Sequence, residues 1–265
     1  MATITAKLNL KGRRALVTGA TGHLGMVICD TLCELGADLI LVDRPGSDFE
    51  TLESKLRGNW QIDCLSLPCD LEVELDRTSL INEVQFAALD ILINNAAFVG
   101  TSGLEGWATP FPDQSLVTWR RALEVNLTAA FHLCQGFAPV LARSQSGTII
   151  NVGSIYGEYG PDWRLYEGTS MGNPAAYGVS KGGLVQLTRW LATTVAPDIR
   201  VNAIAPGGIA RNQPPSFVEQ YLARTPLRRM ATEDDFRGAV AYLASGLSDY
   251  VTGQVLYVDG GWGVW

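Results

Sequence analysis

"RALVTGATGHLGMVICDTLCELG", residues 14–36, changes character twice along its length. "RALVT" is a short, apolar, β-branched run that suits a buried strand. "TGATGHLG" (Thr18 to Gly25) then concentrates glycine in a turn. "MVICDTLCELG" places apolar residues at helical spacing and stops at Gly36. Strand, glycine turn and helix in this order form a cradle for a pyrophosphate. Glycines let the backbone turn tightly and come close, and the helix start offers free N–H groups and the positive end of the helix dipole.

Outward from this unit the alternation continues to the end of the chain. "ADLILVD", "CLSLPCD", "LDILINNA", "GTIINVGS", "RVNAIAP" and "QVLYVDG" repeat the strand theme, and helical periodicity fills 48–57, 72–87, 114–142, 178–196 and 233–245. Continuous apolar strands are those covered on both faces. The predicted fold is therefore α/β: one doubly wound, Rossmann-type domain over residues 1–265, with about seven parallel strands and helices on both faces. Ligands of such sheets bind beyond the carboxyl ends of the strands.

Composition narrows the partners. The chain has 265 residues, 47% of them hydrophobic, and a formal net charge of −7 without a basic stripe. Nucleic acid and anionic membranes are thus disfavoured as partners, and a small-molecule substrate is favoured. No apolar run reaches the ~18 residues of a membrane span, and "MATITAKLNLKGRR" lacks the apolar core of a signal peptide. Cys29, Cys33, Cys64, Cys69 and Cys134 form no CxxC pair and have apolar neighbours, which reads as core thiols in a reducing cytoplasm. With only two histidines, no metal site is expected.

Each strand end offers a role. Asp43 ends the second strand, where its carboxylate can accept from both ribose hydroxyls and repel a 2′-phosphate; NAD is therefore expected over NADP. The adjacent Arg44 is the counter-signal, since a guanidinium could hold that phosphate. Asp70 and Leu71 end the third strand at the place of an adenine, and Asn94 to Ala97 end the fourth, small enough to admit a ribose. Ser154 stands at the end of the fifth, in "NVGSIYG". Tyr177 and Lys181, in "YGVSK", fall at i and i+4 on one helix face. A nearby ammonium favours the phenolate, which would let Tyr177 exchange a proton near neutral pH. Ser154 would hold the substrate oxygen. Asn126 is a mediocre helix former inside a predicted helix, which suggests a polar task such as holding a water that links Lys181 to solvent.

Taken together and in order, "TGATGHLG", Asp43, "CDL", "NNAA", "EVNL", "NVGSIYG", "YGVSK", "RVNAIAPGGI" and "QVLYVDGG" resemble the classical short-chain dehydrogenase/reductase family from about Leu10 to Gly261. The resemblance implies a catalytic tetrad of Asn126, Ser154, Tyr177 and Lys181. It also implies a cofactor lined by Gly19, Thr21, Gly22, His23, Leu24, Gly25, Asp43, Arg44, Asp70, Leu71, Asn95, Ala96, Tyr177, Lys181, Pro206, Gly207 and Ile209. Hydride transfer between NAD(H) and a secondary alcohol or ketone, and a homotetramer or homodimer, follow as family expectations. Departures exist: His23 replaces a motif glycine, Ala97 stands where glycine is usual, and Arg211 stands where a threonine often touches the nicotinamide end.

Substrate loops are expected at about 98–116, 155–176 and 208–230. Tyr156, Trp163, Tyr166, Glu167, Arg211 and Asn212 mix aromatic faces with polar groups, as a sugar would require. "LYEGTSM" and its surroundings resemble a subgroup associated with bacterial surface-sugar and flagellin-glycan biosynthesis. Two other readings stand beside this one: an NADP-dependent 3-oxoacyl thioester reductase, and a non-catalytic dinucleotide-binding sensor.

Overall fold

The structure, a computed structural model, describes residues 2–85, 87–100 and 102–265. Phe86, inside the helix expected over 72–87, and Thr101, inside the loop expected over 98–116, lie outside the described residues, as does Met1.

Seven strands form one sheet: β1 (Arg14–Thr18), β2 (Asp38–Asp43), β3 (Cys64–Pro68), β4 (Ile91–Asn94), β5 (Gly147–Val152), β6 (Ile199–Pro206) and β7 (Val255–Val258). Their order is β3-β2-β1-β4-β5-β6-β7, and every pairing is parallel. The order reverses between β1 and β4, which opens a crevice at their carboxyl ends.

The helices are α1 (Ile4–Leu8), α2 (His23–Glu34), α3 (Phe49–Asn59), α4 (Glu74–Val84), α5 (Leu116–Leu123), α6 (Ala129–Leu141), α7 (Ala175–Thr194), α8 (Pro215–Arg224) and α9 (Arg237–Ala244). Strand residues alternate between two cores. Ala15, Val17, Leu39, Leu41, Ile91 and Ile93 pack with α2, α3 and α9 on one face. Leu16, Ile40, Val42, Leu92 and Ile149 pack with α4, α6 and α7 on the other. The predicted doubly wound layers are thus present.

Two details depart from the sequence reading. The helix expected over 114–142 is not uniform: residues Glu124–Thr128 form a π turn between α5 and α6, with Asn126 buried at its centre. An inserted π turn re-aims one side chain without ending the helix, so periodicity does not reveal it. Within the loop expected over 208–230 lies α8, started by Pro214 and Pro215 and burying Phe217 and Tyr221. Its i, i+4 apolar spacing and proline start were the available signals.

Candidate active site

The crevice at the switch point begins with backbone. Gly19 has φ +65°, and a Cβ there would stand 2.9 Å from the Cα of Ala96. A Cβ on Gly25 would stand 2.0 Å from the Gly19 carbonyl oxygen, so α2 can start this close to the turn only with glycine. Thr18 Oγ1 accepts from the N–H groups of Asn95 (3.0 Å) and Ala96 (3.1 Å). Asn95 Nδ2 returns bonds to the carbonyls of Thr18 and Gly19, at 3.0 and 3.1 Å. The loop after β1 is thereby tied to the loop after β4. Gly22 caps α2 with no side-chain bond, and no acid stands in its first turn. The amides of that turn and the positive dipole end remain for an anion, which fits a pyrophosphate. His23 is exposed and Leu24 half-buried.

Asp43 stands beside this cradle. Its Oδ2 accepts from Thr21 N–H at 2.9 Å and from the Thr21 hydroxyl at 2.7 Å, and its Oδ1 accepts from Arg44 N–H at 2.8 Å. Arg44 itself is exposed. Asp70 Oδ1 accepts from Glu72 N–H (3.0 Å), and Leu71 turns into the core against the α4 and α6 side. Leu71 therefore presents little surface to an adenine, because packing claims its side chain.

Across the crevice, β5 delivers Ser154 and the first two turns of α7 deliver Tyr177 and Lys181. Ser154 is buried, and its Oγ accepts from Tyr156 N–H at 3.2 Å. Two effects compete at Tyr177. Burial pushes the phenol up, a hydrogen bond with Ser154 pulls it down, and burial prevails with some help from the charge of Tyr166. Lys181 is 2% exposed, and burial holds its ammonium at about 8. Its Nζ donates to the Val152 carbonyl at 2.7 Å and lies 5.9 Å from the centre of the Tyr177 ring. The sequence led us to expect a phenol lowered by this ammonium. As the side chains stand, the ammonium is turned to the β5 carbonyl instead, and the phenol is raised.

Asn126 spans two elements. Its Oδ1 accepts from Phe98 N–H (2.7 Å), and its Nδ2 donates to the Phe98 carbonyl and to Ser180 Oγ, both at 3.1 Å. Both amide protons are used, so a water could meet only the second lone pair of Oδ1. The π turn brings this amide between the loop after β4 and α7.

The rim is made of side chains. Tyr156 and Tyr166 share a hydroxyl–hydroxyl bond of 2.8 Å, and Asn173 Nδ2 donates to Tyr166 Oη at 3.4 Å. Trp163, 57% exposed, lies tilted against Tyr166 with ring centres 5.7 Å apart and planes 55° to each other. Glu167 is exposed. On the far side, Pro206 ends β6, Gly207 donates to the Val258 carbonyl, and Ile209 bridges to Ala231. Gly208 N–H donates to Tyr221 Oη at 2.6 Å. Arg211 forms an ion pair with Glu233 at 2.9 Å, and Asn212 occupies a turn with φ +50°. Arg224 and Arg229 are likewise paired, with Asp162 and Asp235. Three arginines of this segment thus meet the protein's own carboxylates, while Arg228 donates to the Leu222 and Ala223 carbonyls. Sequence reasoning missed Asn173, Tyr221 and Trp262, the last fully buried beneath Arg224, whose guanidinium carbon sits 3.9 Å from the Trp262 ring centre. Tyr221 was signalled only as the apolar partner of Phe217 on α8, Asn173 meets Tyr166 seven residues away, and Trp262 acts by meeting a distant segment. A cavity of about 950 Å³, lined by Lys7, Arg13, Asp90 and Arg143 among others, opens at the opposite edge of the sheet, so volume alone does not mark the reactive end.

Known proteins share this fold. The model of the family described as enoyl-(acyl carrier protein) reductase matches residues 19–263. A tropinone reductase homolog of Arabidopsis thaliana is 34% identical, covering 97% of this chain and 94% of its own length. The post-translational flagellin modification protein A of Campylobacter coli is 29% identical, covering 96% of this chain and all of its own. A 3-oxoacyl-[acyl-carrier-protein] reductase of Aquifex aeolicus is 28% identical over 96% of this chain and 99% of its own. Among solved structures, a gluconate 5-dehydrogenase of Burkholderia cenocepacia in complex with NADP and tartrate superposes with TM-score 0.87 at 28% identity, covering 99% of this chain and all of that one. An NAD+-bound xylitol dehydrogenase superposes with TM-score 0.83 at 29% identity, covering 95% and 99%. From the ordered motifs, the doubly wound sheet and these matches, the chain belongs to the classical short-chain dehydrogenase/reductase family, NAD(P)-dependent oxidoreductases of CH–OH groups.

Proposed function

We propose that the protein prefers NAD(H) and interconverts a secondary alcohol and ketone on a polyhydroxylated, sugar-like substrate. The cofactor preference rests on the Asp43 carboxylate, fixed by Thr21 beside the cradle, where it suits a free ribose diol and repels a phosphate. The substrate class rests on the polar rim of Tyr156, Tyr166 and Asn173 above Ser154 and Tyr177. Gluconate and xylitol dehydrogenases among the superposing structures support it.

Within this reading the nicotinamide, when bound, supplies or accepts the hydride. Tyr177 gives a proton to the substrate oxygen or takes one from it at Oη. Ser154 holds that oxygen through its hydroxyl. Lys181, released from the Val152 carbonyl, offers the ammonium that favours the phenolate, and Asn126 braces α7 through Ser180. The loops at 98–116, 155–176 and 208–230 shape the substrate end.

The 3-oxoacyl thioester reductase is the second reading, favoured by the Aquifex relative. Titration with NAD+ and NADP+, then assays of polyols, aldonates and 3-oxoacyl thioesters, separates the two. The proposal expects tighter NAD+ and turnover of a polyol or aldonate. Tighter NADP+ with turnover of thioesters alone overturns it. In the Tyr177→Phe variant, kcat/KM should fall ~10²–10⁴-fold while NAD+ affinity survives.

We also propose self-association in the cytoplasm. An apolar groove of about 430 Å³ runs along Leu127, Phe131, Leu187 and Trp190, with Phe131 41% and Trp190 54% exposed. The five free cysteines suit a reducing compartment. Sedimentation of the wild type and of Trp190→Glu tests this: a wild-type monomer overturns it.

A further inference from the structure

Besides Lys181, one charge lies fully inside the described fold. Arg77, in the first turn of α4, is 1% exposed. A guanidinium so placed needs partners. Its Nη2 donates to Glu124 Oε1 at 2.6 Å, its Nε to His132 Nδ1 at 3.2 Å, and its Nη1 to the Leu71 carbonyl. Glu124 opens the π turn, and Ala129 N–H closes it on the Glu124 carbonyl. His132 stands in the first turn of α6. One guanidinium therefore grips the helix on both sides of the π turn.

That grip depends on the turn being π. In an uninterrupted α-helix, residues eight positions apart stand about 80° apart around the axis. A π turn absorbs one extra residue and brings them to within about 20° of each other. Glu124 and His132 have this spacing and meet the same guanidinium, so Arg77 favours the π turn over a regular helix. The turn in turn aims Asn126. Its Oδ1 accepts from Phe98 N–H at 2.7 Å, and its Nδ2 donates to Ser180 Oγ at 3.1 Å. Ser180 Oγ passes the contact on to the Tyr177 carbonyl at 2.8 Å. The loop after β3 has a separate tie: Arg121 holds Glu72 with two bonds, at 2.6 and 3.0 Å.

Resting on the roles proposed above for Asn126 and Tyr177, we infer that Arg77 is a positioning residue: with Glu124 and His132 it holds the π turn, and through it the Asn126 amide that braces the helix of Tyr177. Its loss should lower kcat. NAD+ affinity should survive, because Arg121 still fixes the loop beside Leu71.

The test replaces the ion pair by an apolar pair, Arg77→Met with Glu124→Leu, which leaves no lone buried charge. This variant, the wild type, Asn126→Ala and the triple combination are compared. Urea unfolding, exchange of the Phe98 amide by mass spectrometry, and xylitol oxidation with NAD+ are the readouts. The apolar pair should be at least as stable as the wild type, yet exchange Phe98 about tenfold faster or more. Its kcat should fall about tenfold or more, with KM and NAD+ affinity within about threefold. In the Asn126→Ala background the same replacement should change kcat by about twofold or less, since both act through one amide. His132→Ala, a milder lesion, should speed Phe98 exchange about threefold, and His132→Asn, whose Oδ1 can replace Nδ1, should restore it. This pair decides even if the apolar pair fails to fold. Wild-type Phe98 exchange in the variants, or the full loss of kcat repeated on top of Asn126→Ala, overturns the inference and leaves the proposed function standing. A wild type that turns over no alcohol overturns the proposed function, while Phe98 exchange still decides whether Arg77 holds Asn126.

Discussion

The two walls of the crevice are built differently. The wall we assign to the cofactor, after β1, β2 and β4, is backbone against backbone: Gly19 against Ala96, Gly25 against Gly19, and Thr18 and Asn95 tying two loops together. The wall we assign to the substrate is side chain against side chain: Tyr156 on Tyr166, Tyr166 on Phe217, Tyr221 on Trp262, and Arg224 on Asp162 and Trp262. A backbone wall has one shape and takes a constant ligand. A wall of side chains can be rebuilt residue by residue, so it is where one family accommodates many substrates. The contrast makes a ranked set of expectations, with the largest effects on the backbone wall.

Gly25→Ala should be the most damaging single methyl. Its Cβ would sit 2.0 Å from a carbonyl oxygen of the rigid turn, with no flexible side chain to yield. We expect overpacking of about 1–3 kcal/mol in urea unfolding and a loss of NAD+ affinity of about 100-fold. Normal affinity in a stable variant would show that the cradle is more pliant than its geometry implies. Trp163→Ala, on the exposed rim, should leave both quantities near wild type.

Lys181 lies between the walls and carries a stability penalty. Its ammonium, ordinarily at 10.5, is held at about 8 by burial. Above about pH 8 the folded protein sheds that proton while the unfolded chain keeps it until about 10.5, so this contribution to stability rises across that interval. Below pH 8 both states are protonated and the full penalty applies. Lys181→Met should therefore abolish turnover yet stabilise the fold at pH 7 by about 3 kcal/mol, less whatever the bond to the Val152 carbonyl contributes. The advantage should shrink towards pH 10.5. Urea titrations of both proteins across pH 7–10.5 measure it. A variant less stable than the wild type at pH 7 would mean that the carbonyl bond outweighs desolvation.

The same contrast explains what the sequence made legible. Strands with near-continuous apolar runs and a glycine turn between strand and helix are local patterns, and they led to the sheet, the cradle and Ser154, Tyr177 and Lys181. The π turn at Asn126 was hidden because it preserves helical composition on both sides. Trp262 was hidden because its partners, Tyr221 and Arg224, lie far from it in the chain, and Asn173 because its partner Tyr166, though only seven residues away, is met through a loop that has no periodicity. Even within a recognised pair, the direction of Lys181 towards Val152 followed from packing, not spacing.

Asp43 tests the boundary of the backbone wall, since it is a side chain fixed by a backbone amide. With Thr21 N–H and hydroxyl both on Oδ2, the carboxylate is oriented before any cofactor arrives. Asp43→Ala should lower the NAD+ over NADP+ preference about tenfold, through lost ribose bonds and relieved repulsion. Equal preferences in wild type and variant would assign the discrimination to another group, with the exposed Arg44 the first to examine.

Arg211→Ala should have the smallest effect. The sequence placed this arginine among the polar groups expected to meet a substrate. Folding instead places its guanidinium on Glu233, with both Nε and an Nη atom 2.9 Å from the same carboxylate oxygen. The pair is partly solvent-exposed, 35% on the arginine side, so its contribution to stability is of the order of 0–1 kcal/mol. For Arg211 to grip a substrate anion it must first leave Glu233, exchanging one carboxylate for another with little net gain. We therefore expect kcat/KM on a neutral polyol and on an aldonate to change by about threefold or less, equally for both. A selective loss of about tenfold or more on the aldonate would show that the ion pair opens for substrate. Glu233→Gln would then sharpen the result, because freeing Arg211 should raise affinity for the aldonate and leave the neutral polyol unaffected.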